Sequence, residues 1–415
     1  MRRILIVGAG QAGLQLGLCL LQHDYDVTIM TARTAQEVAS GRAVSVQLLT
    51  GSHVALERAH GLDLWTAEVP QIRGHHVRGS GEAEGPAYDW TGYYREPSLS
   101  VDERVKMSVW LDLFEQMGGR VVVHPVTTSD LDHLVGMYDL TVIAAGQSGL
   151  AEMFPVTDAW MRPLARTSIT AIAYVTAVED DPYADIMTSG RVPGLGQLTT
   201  HPSYSLHGPC RLIAISGPST SGLGSWPTRM RPQQQLDLML EAMRDHLPHL
   251  YEVYGGVRLV DRRAVTMDYS PPLMRDPVAV LPSGGKVLGI GDTVIAPLPA
   301  FGQNANNECR SAALCLKAIL EHGDRPFDED FMRAVFAGFR EFAMPFYRDL
   351  AVLFGTVPPH LREVLAAGST CQAVADRFVQ GFDDPVDMAS WLVDERTARA
   401  FLTEAAGAQP AGGTR

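Results

Sequence analysis

Lysine is rare in this sequence, and positive charge is in the minority. Only Lys106, Lys286 and Lys317 occur among 415 residues, so arginine supplies nearly all of the basic side chains. The 47 acidic residues outnumber the 34 basic ones and give a formal net charge of −13. Phosphate-rich surfaces repel such a chain. We therefore expect neither nucleic acid nor a membrane as a partner.

Cysteine pairs and long apolar runs are also missing. The five cysteines are odd in number, scattered and without a C-x-x-C pair, which disfavours a disulfide framework or a zinc site. No apolar run reaches the ~18 residues of a membrane span, and no charged leader with an apolar core precedes the first predicted strand. We expect a cytoplasmic protein of two or three domains, with cysteines that are small buried hydrophobes.

A glycine-bearing turn opens the chain. Four apolar residues at 4–7 are followed by Gly8, Gly10 and Gly13, and then by a leucine-rich run to about residue 22. In a strand, turn and helix of this kind, the first glycine permits the tight turn and the second lets a pyrophosphate approach the backbone. The third lets the helix pack on the strand. With a second strand at 26–30, the pattern predicts a dinucleotide site; a glycine turn without a ligand is the alternative.

The acidic residue that usually follows the second strand is absent. A carboxylate there accepts hydrogen bonds from the adenosine ribose, but residues 30–33 read Met-Thr-Ala-Arg. This absence disfavours NAD. Arg33 is a candidate for contact with the ribose or a phosphate, and a solvated arginine is the alternative.

A further buried strand, predicted at 138–146, is followed by small residues. It ends in Ala144, Ala145 and Gly146, whose small side chains would let the backbone pass beneath a cofactor. An ordinary exit from a strand is the alternative. From about 166 to 268 the chain reads as extended segments separated by turns, with one helix predicted at about 232–246. This pattern predicts a largely antiparallel domain inserted into the first one.

A third motif lies near residue 290. An apolar strand delivers Asp292, which can accept a hydrogen bond from a ribityl hydroxyl. Backbone N–H groups at the start of the next helix can meet the pyrimidine edge of a reduced flavin. That helix is predicted to run to about residue 322. The residues that complete this motif are Pro297, Gly302, Gln303, Asn304 and Ala305.

With three motifs in this order, the chain resembles the FAD-dependent aromatic hydroxylases and, among them, the oxygenase components of styrene and indole monooxygenases. The resemblance covers most of residues 1–395. It rests on residues 6–18 (IVGAGQAGLQLGL), 22–24, 26–28, 40–41, 73–75, 97–98, 101–102, 104, 138–140, 289–292, 302–303 and 305–306.

The resemblance implies an α/β fold with a Rossmann-like FAD-binding domain of the GR2, or aromatic-hydroxylase, type. An inserted, largely antiparallel β domain would bind the substrate, and a helical region would end the chain. The implied FAD-binding domain comprises 1–70, 98–165 and 285–325, and the substrate-binding domain 71–97 and 166–284. The helical region would comprise 326–408, followed by a disordered tail at 409–415.

The resemblance also implies the chemistry. A separate flavin reductase would make FADH2 from NADH, and this chain would bind it and capture O2. A flavin C4a-hydroperoxide would then transfer one oxygen atom to an electron-rich aromatic alkene or an indole, by epoxidation or hydroxylation. The resemblance allows a homodimer. Because the flavin supplies the reactivity, the protein is expected to contribute position, dryness and hydrogen bonds.

Matching positions with the family give the implied site residues. Gln47 and His75 would position the reacting groups, and Ser98 would face the same site. Val46, Ala300 and Phe301 would line its apolar wall, and Arg42 would lie near the cofactor. Three positions depart from the family pattern: Gln47 stands in place of an asparagine, Asn304 in place of a glycine, and Leu298 in place of the aspartate before the proline.

Three other functions compete with this interpretation. A single-component hydroxylase would carry an Asp-Gly segment that handles NAD(P)H, and residues 145–149 (AGQSG) lack it. A tryptophan halogenase would carry W-x-W-x-I-P, which is also missing. A flavin carrier or sensor would have no need of a large inserted domain. No metal site is predicted, because His75, His76, His201 and His207 lack the spacing of a ligand pair.

Overall fold

The computed structural model describes residues 1–79, 87–158, 168–269, 271–354 and 357–408. The predicted tail at 409–415 lies outside the described residues. Strands are found at β1 (Arg3–Val7), β2 (Asp26–Thr31), β3 (Leu48–Leu49), β4 (Ile72–Gly79), β5 (Tyr88–Ser100), β6 (Arg120–Val123), β7 (Leu140–Ile143), β8 (Val156–Asp158), β9 (Ser168–Thr176), β10 (Ile186–Val192), β11 (Gly196–Ser205), β12 (Gly208–Pro218), β13 (Val265–Tyr269), β14 (Leu273–Arg275), β15 (Val278–Val280), β16 (Lys286–Gly289) and β17 (Ile295–Ala296).

Helices connect and cover these strands. They are α1 (Gln11–Leu21), α2 (Ala35–Ala39), α3 (Gly51–Ala59), α4 (Glu103–Gln116), α5 (Thr128–Leu134), α6 (Pro232–His246), α7 (Pro248–Tyr254), α8 (Asn304–His322), α9 (Glu329–Tyr347), α10 (Pro359–Gly368), α11 (Gln372–Gln380), α12 (Pro385–Leu392) and α13 (Glu395–Ala408). Within the described ranges, no helix is both long and apolar enough to cross a bilayer.

The first sheet carries the nucleotide motifs. Its six strands run in the order β15-β16-β7-β1-β2-β6, and every neighbouring pair except β15–β16 is parallel. Helix α1 crosses between β1 and β2 and is buried from Gln11 to Leu20, as expected for a helix that is apolar on all sides. The predicted βαβ unit is therefore present.

The second sheet has eight strands in the order β13-β9-β12-β11-β10-β4-β5-β3. Its pairs are antiparallel except β10–β4. Helix α6 covers one face with Leu236, Met239 and Met243, which share a core with Ile213 and Ile215. The predicted α/β fold with an antiparallel second sheet and a helical C-terminal region is confirmed.

Two short strands join a different sheet from the one that their position in the sequence suggests. Strand β15 pairs with β16 in the first sheet, although residues 278–280 fall within the predicted substrate-binding domain. Strand β3 pairs with β5 in the second sheet, although residues 48–49 fall within the predicted FAD-binding domain. Short strands carry little periodic signal, so their partners follow from tertiary contacts. The division into domains stays a prediction.

The C-terminal helices dock onto β5 by close packing. Trp90 donates its indole N–H to Leu365 O at 2.7 Å and contacts the Phe378 ring edge to face. At Gly92 the backbone of β5 meets α11 so closely that an added Cβ would lie 2.3 Å from Ala375 O. This contact ties the end of the chain to the second sheet.

We expect Gly92→Ala to lower the free energy of unfolding by about 1–3 kcal/mol, because α11 must shift away from the new methyl group. Gly136→Ala is the matched control, since a Cβ at that position would have no other atom within 4 Å; it should change the free energy by less than about 0.5 kcal/mol. Chemical denaturation of both variants measures the difference. Equal midpoints for the two would contradict the docking contact.

Candidate functional site

One cavity of about 870 Å³ lies where the three motifs meet. Its wall includes the turn after β1, the chain from Ala144 to Leu150, and the start of α8. The second sheet contributes Thr170 and Ile172 from β9 and Thr266 and Asp268 from β13. Three segments that are far apart in sequence are therefore brought to one place, as the motif order predicts.

The first turn is held by backbone-to-backbone packing. Gly8 has φ of +118°, and a Cβ there would lie 2.1 Å from Ala144 O. A Cβ at Gly13 would lie 2.0 Å from Gly8 O. At Gly10 no atom lies within 4 Å of the Cβ position, and this residue lines the cavity. Gly8 and Gly13 thus serve packing, whereas Gly10 keeps a path open to the backbone.

The third motif places two carboxyl groups on the cavity wall. Gly291 (φ +58°) and Gly302 (φ +65°) adopt left-handed conformations that bring Asp292 and Asn304 together. Asn304 Nδ2 donates to Asp292 Oδ2 at 2.5 Å, and the buried Asp292 Oδ1 has no partner among the described residues. Glu308, one turn along α8, accepts hydrogen bonds from the Asp292 N–H at 2.6 Å and the Ala12 N–H at 3.2 Å.

These carboxyl groups lose their protons at higher pH than exposed carboxyl groups do. Protein atoms enclose both except on the cavity side, and this burial raises the pKa of Asp292 to about 7 and that of Glu308 to about 8. The Asp292 carboxylate raises the Glu308 pKa further. Burial also raises the pKa of Glu103, a third acid on the wall, despite its hydrogen bond from Ser45.

The remaining predicted cofactor residues divide into two groups. Arg33 and Gly146 line the cavity, Arg33 with an exposed side chain and Gly146 with a φ of +60°. Arg42 is exposed and lies outside the cavity wall, as does the buried Pro297. Gln303 donates to Phe382 O at 3.2 Å and accepts from Asn306, so its side chain serves the C-terminal helices. Gly302, Asn304 and Ala305 line the cavity.

The predicted substrate residues lie partly on the cavity and partly beyond it. Val46 and Gln47 line it. His75, Ser98, Ala300 and Phe301 do not. Their connection to the cavity is indirect, since Val46 packs on Ile72 and Met187. In the two sheet pairings, Ile72 lies opposite Ser98 and Met187 opposite His75.

A chain of aromatic rings links His75 to Phe301. The His75 ring meets Phe382 at 5.6 Å between centroids, Phe382 stacks on Phe346 at 6.1 Å, and Phe346 meets Phe301 at 4.9 Å. Because Phe301 immediately precedes Gly302, these rings extend from the third motif to β4. They form a continuous aromatic cluster in the protein interior, which begins next to the cavity-lining Gly302.

Three buried polar atoms of the predicted substrate residues lack partners among the described residues. They are Gln47 Oε1, His75 Nδ1 and Ser98 Oγ. His75 Nε2 lies 2.7 Å from Ser189 Oγ, and burial lowers the His75 pKa to about 3, so the imidazole is neutral. Of these three residues only Gln47 lines the cavity, so its amide oxygen is the one placed to meet a bound molecule there.

A flavin nucleotide fits this site chemically. The first turn of α1 offers backbone N–H groups for a pyrophosphate, and Asp292 Oδ1 remains available for a hydroxyl. A Cβ added at Gly10, Gly146 or Gly302 would meet no atom within 4 Å, so three walls of the cavity have room for a cofactor.

Sequence reasoning missed Glu308 and Glu103. Glu308 follows Asn304 and Ala305 by four and three residues on a helix, so helical spacing from the third motif would have located it. Glu103 opens α4, whose first turn reaches the cavity through contacts between distant segments. No local pattern marks that approach.

Comparisons with known proteins support the predicted resemblance. Residues 146–252 match a family model described as "Styrene monooxygenase A putative substrate binding domain". Styrene monooxygenase StyA of Pseudomonas fluorescens is 28% identical over 398 residues, which cover 92% of this chain and 93% of that protein.

Solved structures share the fold. The flavin-dependent brominase Bmp2 aligns with a TM-score of 0.65 at 14% identity, covering 98% of this chain and 100% of the other. The flavin-dependent halogenase CmlS aligns with a TM-score of 0.65 at 15% identity, covering 99% and 73%. The predicted fold, the styrene monooxygenase resemblance and the flavin-dependent oxidoreductase class are confirmed.

Replacing Asp292 tests the burial of its carboxyl. Its folded pKa of about 7 exceeds the ~3.9 of an unfolded chain, so its ionisation destabilises the fold as pH rises through this interval. We expect the stability of Asp292→Asn relative to the wild type to increase from pH 5 to about pH 8 and then level. Chemical denaturation across this range measures it. Asp112→Asn, at an exposed position on α4, should show no such trend.

Proposed function

We propose that this styrene monooxygenase-like chain binds reduced FAD in the cavity and inserts one atom of O2 into an electron-rich aromatic alkene or an indole-type substrate. The meeting of three glycine-bearing turns at one cavity of about 870 Å³ carries the proposal. The 28% identity to a styrene monooxygenase over nearly the whole chain supports it.

The cofactor-binding residues follow from the geometry. N–H groups in the turn from Gly8 to the start of α1 would hold the pyrophosphate. Asp292 Oδ1 would accept a hydrogen bond from a ribityl hydroxyl. The N–H groups from Gly302 to Ala305, at the positive end of α8, would meet the pyrimidine edge of the flavin.

When bound, reduced flavin supplies the two electrons that reduce one oxygen atom to water while the other enters the substrate. The chain itself contributes position and exclusion of water. The rings of Phe301, Phe346 and Phe382 would supply an apolar wall to a substrate that extends beyond the cavity, and water would gain no hydrogen bonds from it. A dry site favours oxygen transfer over loss of hydrogen peroxide.

Neutral polar groups would orient the substrate. Gln47 Oε1, Ser98 Oγ and His75 Nδ1 have no hydrogen-bond partner within the part of the chain that the structure describes, and a substrate with a hydrogen-bonding group could supply one. With its pKa near 3, His75 acts as a hydrogen-bonding group and does not serve as an acid at neutral pH. A buried amide at Gln47 reaches further than the asparagine of the family pattern would.

A separate reductase would supply FADH2 from NADH. The chain lacks the Asp-Gly segment that handles NAD(P)H in single-component enzymes, which supports this arrangement. The division into an FAD-binding domain (1–70, 98–165 and 285–325) and a substrate-binding domain (71–97 and 166–284) is part of the proposal. The family match at 146–252 supports the second of these.

Two glycine variants test the nucleotide site. We expect Gly10→Ala to keep the stability of the wild type, since its Cβ meets no protein atom, but to weaken FAD binding by about tenfold or more. Gly13→Ala should destabilise the fold itself, because its Cβ would lie 2.0 Å from Gly8 O. Thermal unfolding and FAD fluorescence titration distinguish these effects. Unchanged FAD affinity in Gly10→Ala would argue against a pyrophosphate at this turn.

Isotope labelling tests the reaction. With reduced FAD supplied by an unrelated reductase, styrene and indole should each be examined under 18O2 by mass spectrometry. A product that gains one 18O atom supports the monooxygenase. A flavin carrier would release only hydrogen peroxide, and consumption of NADH without any added reductase would favour a single-component hydroxylase.

A further inference from the structure

The Glu308 carboxyl accepts a hydrogen bond from the Ala12 N–H, one of the donors that a nucleotide phosphate would need. The Leu14 N–H donates to Gly10 O, and the N–H groups of residues 11–13 in the first turn have no acceptor within the helix, so they can donate to other groups. Glu308 Oε2 accepts the Ala12 N–H at 3.2 Å. The other oxygen accepts the Asp292 N–H, so this single side chain joins the first and third motifs.

The surroundings of Glu308 are acidic. Asp292 faces it from the turn after β16 and Glu103 from the start of α4. Helix α1, which packs along α8, contributes no Asp, Glu, Lys, Arg or His between Gln11 and Leu21. The basic side chains on the described cavity wall are Arg33 and His124, both exposed. On the cavity wall that the structure describes, an ionised Glu308 therefore has no buried cation beside it to offset a bound phosphate.

We propose that Glu308 couples flavin binding to proton uptake: the FAD pyrophosphate binds at the first turn of α1 only when the Glu308 carboxyl is protonated. This inference rests on the proposed binding of FAD. Two anions cannot share the Ala12 N–H without mutual repulsion, whereas a neutral carboxyl can release that N–H and donate its own proton to a phosphate oxygen. Raising the pH removes this proton and weakens binding.

The linkage has a definite sign. The Glu308 pKa of about 8 lies in an accessible range. Above it, each pH unit should lower FAD affinity by up to about tenfold, because one proton must be taken up for each FAD bound. Below it, affinity should vary little.

The test compares FAD titrations of the wild type and Glu308→Gln from pH 7 to 9.5. We expect affinity of the wild type to fall by about tenfold between pH 8.5 and 9.5, and that of Glu308→Gln to stay nearly constant. Glu321→Gln is the matched control, because Glu321 is an exposed residue on the same helix and pairs with Lys317. It should follow the wild type.

Calorimetry of the wild type provides a measurement that needs no variant. Titration of FAD at pH 8.5 in two buffers of different ionisation enthalpy should reveal uptake of about half a proton or more per FAD. If FAD bound with equal affinity at pH 7 and pH 9.5 and took up no proton, this inference would be overturned while the proposed function would stand. If neither oxidised nor reduced FAD bound to any of these proteins at any pH, both the proposed function and this inference would be overturned.

Discussion

The contact among β1, α1 and β7 determines the geometry of the whole site. The backbone at Gly8 packs against Ala144 O, and the backbone of α1 at Gly13 packs against Gly8 O. Neither glycine leaves room for a side chain. This packing fixes the first turn of α1, and therefore fixes which N–H groups face the cavity. It also brings the end of β7 beside the turn, so that the second motif forms the neighbouring wall. Glu308 and Asp292 are tied to the same turn, because the Glu308 carboxyl accepts hydrogen bonds from both the Ala12 N–H and the Asp292 N–H.

The site combines donors for an anion with an excess of acid. Backbone N–H groups and the positive ends of α1 and α8 favour negative charge, yet Asp292, Glu308 and Glu103 surround them. Their raised pKa values show how the conflict is resolved, because a protonated carboxyl is neutral and can donate a hydrogen bond. The protein thus retains polar contacts at the cavity while limiting repulsion of a bound nucleotide. The same arrangement makes its electrostatics sensitive to pH in the range where these acids ionise.

Local pattern predicts the parts of the structure that depend on local rules. The glycine spacing at residues 8–13 specifies a strand, a turn and a helix, and the helix predicted at 232–246 from its periodicity has the observed bounds. Features that depend on distant segments escape such prediction. Strand β15 contains three residues, so its partner is decided by the neighbouring β16 and not by sequence pattern. Likewise, Glu308 is an ordinary helical acid until folding places it against Ala12.

At the proposed substrate site, the polar atoms that lack partners among the described residues belong to neutral groups. Gln47 and Ser98 carry no charge, and burial keeps His75 neutral. A charged substrate group placed among them would lose its hydration without gaining an opposite charge, which is costly. The rings of Phe346, Phe382 and Phe301 would instead gain from contact with an aromatic face. Under the proposed function, the site therefore selects uncharged aromatic molecules, and a hydrogen-bonding group on the ring determines which edge faces the flavin.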